Sequence, residues 1–297
     1  MKILISGASG LLGQRLQDYL KEQELEVSTV LRKENCSSGE ICYNPPVTGV
    51  SPEKLEGFDC LIHLSGAGIA DRRWSESYKK VLRDSRVLST RLMINSLNEA
   101  NNGPRIFLCA SAVGVYGDRQ DEVLTEDSSR GDGFLADLGS EWERELASLK
   151  PEIRKVSLRF GVILDPKGGA LSKMLPIFKS GLAGKLGSGH QWMSWVHYLD
   201  VCRAIQFAIK SEKVKNALNV VAPHPERNKD FTKTLGRVLK RPTFLPAPAA
   251  ALKLAMGEMG DELLLSSTRV YPQKLMESGF NFQFPELKTA LKDLLNK

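Results

Sequence analysis

Residues 5–13 read ISGASGLLG, and three of the nine are glycines, at positions 7, 10 and 13. The stretch follows a short β-branched, apolar run, KILIS (2–6), and leads into LLGQRLQDYLKEQ (11–23), where Leu12, Leu16, Tyr19 and Leu20 share one helical face. A strand, a glycine turn and a helix in that order give each glycine a task. The turn off the strand is tight, the backbone must approach a ligand closely, and the helix must pack against the sheet. The helix start then offers free N–H groups and the positive end of its dipole to phosphate. Gly7, Ser9, Gly10, Leu11, Leu12 and Gly13 are therefore expected to hold a pyrophosphate.

The rest of the first 165 residues repeats this alternation. Strands are expected at 26–32, 58–66, 105–111 and 153–164, and helices at 75–100 and 134–149. In the long helix, Val81, Leu82, Leu88, Leu92 and Leu97 are the expected core contacts. Strands alternating with helices imply parallel pairing through right-handed crossovers. The expected fold is α/β, a doubly wound parallel (Rossmann) sheet whose ligands sit beyond the C-terminal strand ends. A helix ending at glycine (about 168–184), a glycine- and aromatic-rich loop (184–197), a helix at 198–210 and a strand at 217–223 follow. From 224 the chain reads as a smaller, mostly α-helical C-terminal lobe with helices at 228–240 and 286–295. The expected domains are 1–222, with a substrate-loop insertion at about 166–197, and 223–297, divided at PHPER (223–227).

Composition narrows the function classes. The chain has 297 residues and a net charge of +6, from 41 Lys+Arg and 35 Asp+Glu spread along its length. It carries no zinc-finger or RNP pattern, so nucleic acid is not an expected partner. No apolar run approaches the ~20 residues that cross a bilayer, and the first residues lack a signal-peptide core, so a cytoplasmic protein is expected. The five cysteines form no CxxC pair, and an odd count without a framework suits a reducing compartment. The four histidines lack partners at ligand spacing, so no metal site is expected.

The second strand ends in Leu31-Arg32-Lys33, with Arg32 nineteen residues after Gly13. An acid at this tip would bind the 2′-OH of NAD, whereas an arginine accommodates the 2′-phosphate of NADP. Two adjacent cations suit a dianion, so NADP(H) is the expected cofactor. Arg72-Arg73 and Trp74 follow the third strand and suit an anionic small-molecule substrate; the other reading is a surface basic pair. The sequence sets no oligomeric state.

ISGASGLLG, with SAVGVYGD (111–118) and LRFGVIL (158–164), resembles the extended short-chain dehydrogenase/reductases, the NAD-dependent epimerase/dehydratases. GSGHQWMSWVHYLD (187–200), LNVVAPHPERNKDFTKTLGRVLKRP (218–242) and ESGFNFQFPELKTALKDLL (277–295) resemble an atypical sugar-nucleotide epimerase-like subgroup with its own C-terminal domain of unknown function. The resemblance implies cofactor contacts at the glycine loop, at Leu31, Arg32 and Lys33, at Leu64, Ser65 and Gly66, and at Arg86, Ser111 and Val162.

It also implies a catalytic Ser/Thr with Tyr-x-x-x-Lys, and here the chain departs from the pattern. DGFLADLGSEWERE (132–145) places Phe134 or Leu135 where the tyrosine would be, and Leu138 or Gly139 where the lysine would be. Phenylalanine has no proton to give. Alignment on Val115-Tyr116-Gly117 puts Ala112 at the usual hydroxyl position, one residue after Ser111. The remaining catalytic candidates are Ser111, Tyr116 and His197. Each has a plainer reading: a turn serine, a packed tyrosine, and a histidine bonded within its loop, with Asp200 capping helix 201–210. Trp192, Met193 and Trp195 either wall a planar substrate or belong to the core. Two functions follow: an oxidoreductase or epimerase acting on a nucleotide-sugar or similar carbonyl/alcohol, or a non-catalytic NADPH-binding module. A third, a structural protein with a vestigial site, predicts no cofactor binding.

Overall fold

Pairing between strands that are distant in sequence organises the chain. In the computed structural model, which describes residues 1–296, seven strands form one sheet. They are β1 (Lys2–Ser6), β2 (Glu26–Arg32), β3 (Ile41–Tyr43), β4 (Cys60–His63), β5 (Ile106–Ala112), β6 (Arg154–Phe160) and β7 (Asn216–Val220). Their order is β7-β6-β5-β4-β1-β2-β3, and β1 pairs in parallel with both β2 and β4. The β2–β3 and β4–β5 pairs are parallel as well. Ile3, Leu4, Ile5, Leu61 and Ile62 are fully buried, as expected of strands covered on both faces. The first helix, α1, spans Leu11–Glu22 and buries Gly13, Leu16 and Leu20.

The long helix is not uniform. It runs as α2 (Glu76–Arg83), a π-helical turn (Asp84–Leu88) and α3 (Ser89–Glu99). The extra residue of a π turn shifts the buried face. Leu82, Val87, Met93, Ile94 and Leu97 are buried, while Val81, expected in the core, is 48% exposed. The next helix, α4 (Phe134–Glu145), falls where expected. The expected fifth strand, 153–164, is interrupted at Gly161, where a Cβ would stand 2.5 Å from the Ser194 carbonyl oxygen. Its continuation, Val162–Leu164, pairs with Trp195–His197 instead of the main sheet.

The chain divides into two compact units: 1–111 with 138–158 and 205–218, and 112–137 with 159–204 and 219–296. This differs from the expected break at 222/223, because the second unit gathers segments from both sides of it. Short pairings tie them together: Val162–Leu164 with Trp195–His197, Trp192–Met193 with Glu226–Arg227, and Val123–Leu124 with Arg269–Val270. Its core joins α5 (Gly169–Lys179) and α7 (Asn228–Leu239) through Leu171, Leu175, Trp195, Phe231, Leu235 and Leu291. Among the described residues no helix is long and apolar enough to cross a membrane.

Candidate functional site

Register brings the first unit's candidates to one sheet edge. Ser6 lies opposite Val30 and His63, and His63 opposite Cys109. One residue further along the four parallel strands stand Gly7, Leu31, Leu64 and Ala110; two further stand Ala8, Arg32, Ser65 and Ser111. Adjacent strands are about 4.8 Å apart, so this edge is one continuous surface at the C-terminal ends.

The glycine loop admits no side chain at two of its three glycines. Gly7 has φ +74°, and a Cβ there would sit 2.7 Å from the Leu64 carbonyl carbon. A Cβ on Gly13 would fall 2.3 Å from the Gly7 carbonyl oxygen. The loop is tied by Gly10 N–H donating to the Gly7 carbonyl at 3.0 Å and by Gln17 Nε2 donating to the Ala8 carbonyl at 2.8 Å. Gly10 occupies the N-cap of α1 without a side-chain cap, and the first turn carries no acid. The helix therefore keeps its orphan N–H groups and its positive dipole end for an external anion.

Beneath the loop lies a residue that the sequence reading passed over. His63 is fully buried, with Nδ1 2.6 Å from Ser6 Oγ and Nε2 3.2 Å from Ser89 Oγ. Ser89 Oγ donates to the Ser85 carbonyl at 2.7 Å, so His63 Nε2–H donates to Ser89 and Nδ1 accepts from Ser6. Burial lowers the His63 pKa to about 4, which keeps this ring neutral. It locks the ends of β1 and β4 that carry the glycine loop and Leu64-Ser65. Its serine partners lie 57 and 26 residues away in sequence, so no local signal could have found them.

Cations face the same edge. Arg32 is exposed and has no ion-pair or hydrogen-bond partner among the described residues. Lys33 pairs with Glu40. Tyr43, also missed from sequence, is buried and its hydroxyl donates to Ser65 Oγ; burial raises its pKa. Arg86 sits in the π turn. Its Nη2 donates to the Ala67 carbonyl at 3.0 Å, its Nη1 to the Leu82 carbonyl at 3.1 Å, and its guanidinium lies 5.4 Å from the Trp142 ring centroid. It has no carboxylate partner among the described residues, and burial lowers its pKa to about 10. A Cβ on exposed Gly66 would come within 3.5 Å of this guanidinium. A glycine cradle, an uncapped helix start, one arginine unpartnered among the described residues and a second bonded to carbonyls and a serine hydroxyl fit an elongated polyanion, as a dinucleotide phosphate is.

The three catalytic candidates differ in what they have left to offer. Ser111 Oγ, at the end of β5, donates to Glu143 Oε1 of α4 at 2.6 Å, while Ala112 is exposed. Tyr116 is fully buried in the second unit. Its hydroxyl donates to Asn219 Oδ1 and accepts from Arg159 Nη1, both at 2.7 Å. His197 is also fully buried in that unit, stacked 4.0 Å from Phe284 and 4.8 Å from Tyr198. Its Nδ1 accepts from Leu199 N–H, so Nε2–H faces Asp293 at 3.2 Å. Burial lowers its pKa against the pull of Asp293 and Asp200. Tyr116 and His197 thus stand in closed packing arrangements, and Ser111 remains as the hydroxyl at the sheet edge. In α4, Phe134 and Leu135 stand in the tyrosine's place, with Leu138 and Gly139 buried in the lysine's.

Other expectations change more plainly. Asp200 does not cap its helix. It lies within α6 (Tyr198–Lys210), fully buried, and its carboxylate accepts from the N–H groups of Gln283 and Phe284 at 2.8 Å each. Trp195 is core, and Trp192 lies against Arg227 and Arg269 with its Nε1 donating to Asp121. Val162 belongs to the second unit, paired with Trp195. Arg72 and Arg73 are exposed. The expected absence of a cysteine framework is corrected: Cys36 and Cys42 form a disulfide, while Cys60, Cys109 and Cys202 are buried and outside it. Five intervening positions, instead of a CxxC spacing, hid the pair. Cys36, Glu40 and Cys42 are also close enough in space to be weighed as metal ligands, but the disulfide commits both sulfurs.

Comparison with known proteins gives this geometry a context. A model of the NAD dependent epimerase/dehydratase family matches residues 3–221, and a domain of unknown function, DUF1731, matches residues 247–294. The chain is 39% identical over 290 residues to an epimerase family protein of Mycobacterium tuberculosis, covering 97% of this chain and 96% of that one. It is 32% identical to the human epimerase family protein SDR39U1, covering 99% and 100%. A crystal structure of human SDR39U1 with NADPH superposes with a TM-score of 0.92 at 31% identity over the whole of both chains. A nucleoside-diphosphate sugar epimerase from Corynebacterium glutamicum gives 0.81 at 31% identity, covering 99% of this chain and 58% of that one. From its glycine cradle to its C-terminal segment, this chain belongs to the NAD dependent epimerase/dehydratase family.

Proposed function

We propose that the protein binds NADP(H) at the C-terminal edge of the first unit's sheet and acts as an NADP-dependent oxidoreductase or epimerase on a nucleotide-sugar or similar carbonyl/alcohol. The observation that carries the reading is the glycine cradle, where a Cβ on Gly13 would collide with the Gly7 carbonyl oxygen at 2.3 Å. Only an all-backbone surface lets a pyrophosphate reach the start of α1. Arg32, unpartnered among the described residues, with Lys33 beside it, supplies the charge for a 2′-phosphate. The NADPH in the human relative's structure supports the same choice.

When bound, the nicotinamide supplies hydride transfer. The chain's residues orient the cofactor and handle the proton. Ser111 is the hydroxyl at the edge of β5, and Glu143, 2.6 Å away, can accept its proton. Arg86 and Gly66 lie against each other near the end of the neighbouring strand β4. The substrate is a small molecule whose anionic groups suit Arg72 and Arg73; nucleic acid and membrane are not proposed partners.

The empty places of the tyrosine and lysine support a second reading, an NADPH-binding module without turnover. Fluorescence titration with NADPH and NADH tests the shared cofactor step. Arg32→Ala is expected to weaken NADPH binding by about tenfold, ~1.4 kcal/mol, and to leave NADH unchanged. Binding of neither nucleotide would sink both readings. Oxidation of NADPH upon addition of carbonyl substrates then separates enzyme from module, and its loss in Ser111→Ala and Glu143→Gln would assign the proton route.

A further inference from the structure

Loop 33–40 joins β2 to β3 and carries an exposed cysteine, Cys36, bonded to half-buried Cys42 in β3. The ring closed by the disulfide contains Glu40. Its carboxylate accepts the Ser37 N–H at 2.7 Å and pairs with Lys33. These contacts, Lys33 foremost, hold its carboxyl below the usual carboxylate range. The ring is fastened to the cation tip through the strand ladder, in which Cys42 faces Leu31 and Tyr43 faces Arg32.

We propose that Cys36 and Cys42 are a redox modification site that sets the affinity for the 2′-phosphate of NADP(H), the disulfide lowering it and the dithiol raising it. This rests on the NADP(H) reading above. In the disulfide form, Glu40 is confined to a short ring, so its carboxylate stays on Lys33. One of the tip's two cations is then occupied, and a negative charge stands beside the place of a dianion. An exposed ion pair is weak on its own, and here the ring restricts one partner, Glu40, beside Lys33 at the end of β2. Reduction removes the cross-link and returns conformational freedom to the loop, which includes Gly39 at φ +84°. An arriving phosphate then displaces the carboxylate from Lys33.

The exchange partner is a low-molecular-weight disulfide, such as glutathione disulfide. The Cys36 thiolate attacks one of its sulfurs and expels a thiolate, leaving a mixed disulfide. The Cys42 thiolate attacks the Cys36 sulfur and expels the second. Two protein thiols lose two protons and two electrons, and the small disulfide is reduced to two thiols. Cys60, Cys109 and Cys202 take no part, because all three are buried, and burial raises the pKa of Cys60 and Cys109.

The test uses the full chain, prepared once with dithiothreitol and once with glutathione disulfide, with the thiol state of Cys36 and Cys42 read by alkylation and mass spectrometry. Each form is titrated with NADPH and NADH. The reduced form is expected to bind NADPH about tenfold more tightly than the oxidised form, with NADH the same in both. Joint Cys36→Ser and Cys42→Ser substitution should match the reduced form whatever the treatment. Glu40→Gln should keep the disulfide yet close the gap. Equal NADPH affinity in the two forms, tighter binding by the oxidised form, or no disulfide with glutathione disulfide overturns the switch while leaving the cofactor reading in place. Absence of NADPH binding in both forms overturns the cofactor reading, and the switch with it.

Discussion

Two polar regions use similar residues to opposite ends. At the sheet edge of the first unit, the Arg32 side chain has no partner among the described residues and Arg86 bonds to carbonyls and the Ser85 hydroxyl, with no carboxylate. In the second unit, Arg159, Tyr116, Asn219 and Glu126 form a chain of hydrogen bonds, in which buried Glu126 Oε2 is left without a hydrogen-bond partner among the described residues. Arg159 donates to the tyrosine hydroxyl, the hydroxyl to Asn219, and the Asn219 backbone N–H to Glu126 Oε1 at 3.0 Å. Burial raises the pKa of both Tyr116 and Glu126. A motif tyrosine reads as a catalytic candidate in a sequence, yet here its hydrogen bonds are spent on the fold. The proposed binding region is instead marked by capacity left over. Buried polar groups are normally satisfied, so unspent donors at a surface edge mark where a ligand completes the set.

The contrast is broken most severely at Gly13. Gly13→Ala sets a methyl group against backbone and should cost more than about 3 kcal/mol of stability, with NADPH binding lost. Thermal unfolding with and without NADPH measures both. A variant that unfolds normally and binds normally would remove the cradle from the cofactor reading.

Acid tests the support beneath that cradle. The His63 pKa is depressed in the folded protein to about 4, below its ordinary value near 6.5. The unfolded chain therefore takes up a proton that the folded chain refuses. The stabilisation is complete above pH ~6.5 and is lost as pH falls towards 4, by about 3 kcal/mol. Urea unfolding between these pH values should show that slope, and His63→Leu should flatten it. An unchanged slope in the variant would assign the loss to other groups, His197 included.

Tyr116→Phe probes the closed network. It removes one hydroxyl and leaves Asn219 Oδ1 and an Arg159 donor short of a partner, at about 2 kcal/mol. NADPH affinity should not change. A fall in turnover with unchanged stability would return Tyr116 to the catalytic set.

These differences also explain what could be read in advance. The ends of β1, β2 and α1 matched expectation to within a residue or so, because strand, turn and helix there are set by neighbours in sequence. The place of Arg32 and Lys33 at the end of β2 was legible for the same reason. The edge strand β3 was missed: Ile41–Tyr43 is three residues long and exists only through its ladder with β2. The π turn that aims Arg86, the break at Gly161, the serines around His63, Glu143 beneath Ser111 and the Cys36–Cys42 bond all depend on partners brought together by the fold. Tyr116 and His197 were visible as residue types, but their exposure was not, and exposure decides between proton transfer and packing.

The smallest expected effect on stability is also the sharpest test of leftover capacity. Arg32 contributes no hydrogen bond or ion pair to the described structure, so Arg32→Ala should shift unfolding by no more than about 0.5 kcal/mol, as at an ordinary surface position. The same variant is expected to lose about tenfold in NADPH affinity. Tyr116→Phe should show the reverse pattern, with stability lost and affinity kept. The two substitutions therefore form a crossed pair, measured by urea unfolding and by nucleotide titration on the same preparations. If Arg32→Ala were as destabilising as Tyr116→Phe, Arg32 would be part of the fold, and its place at the tip of β2 would no longer point to a phosphate.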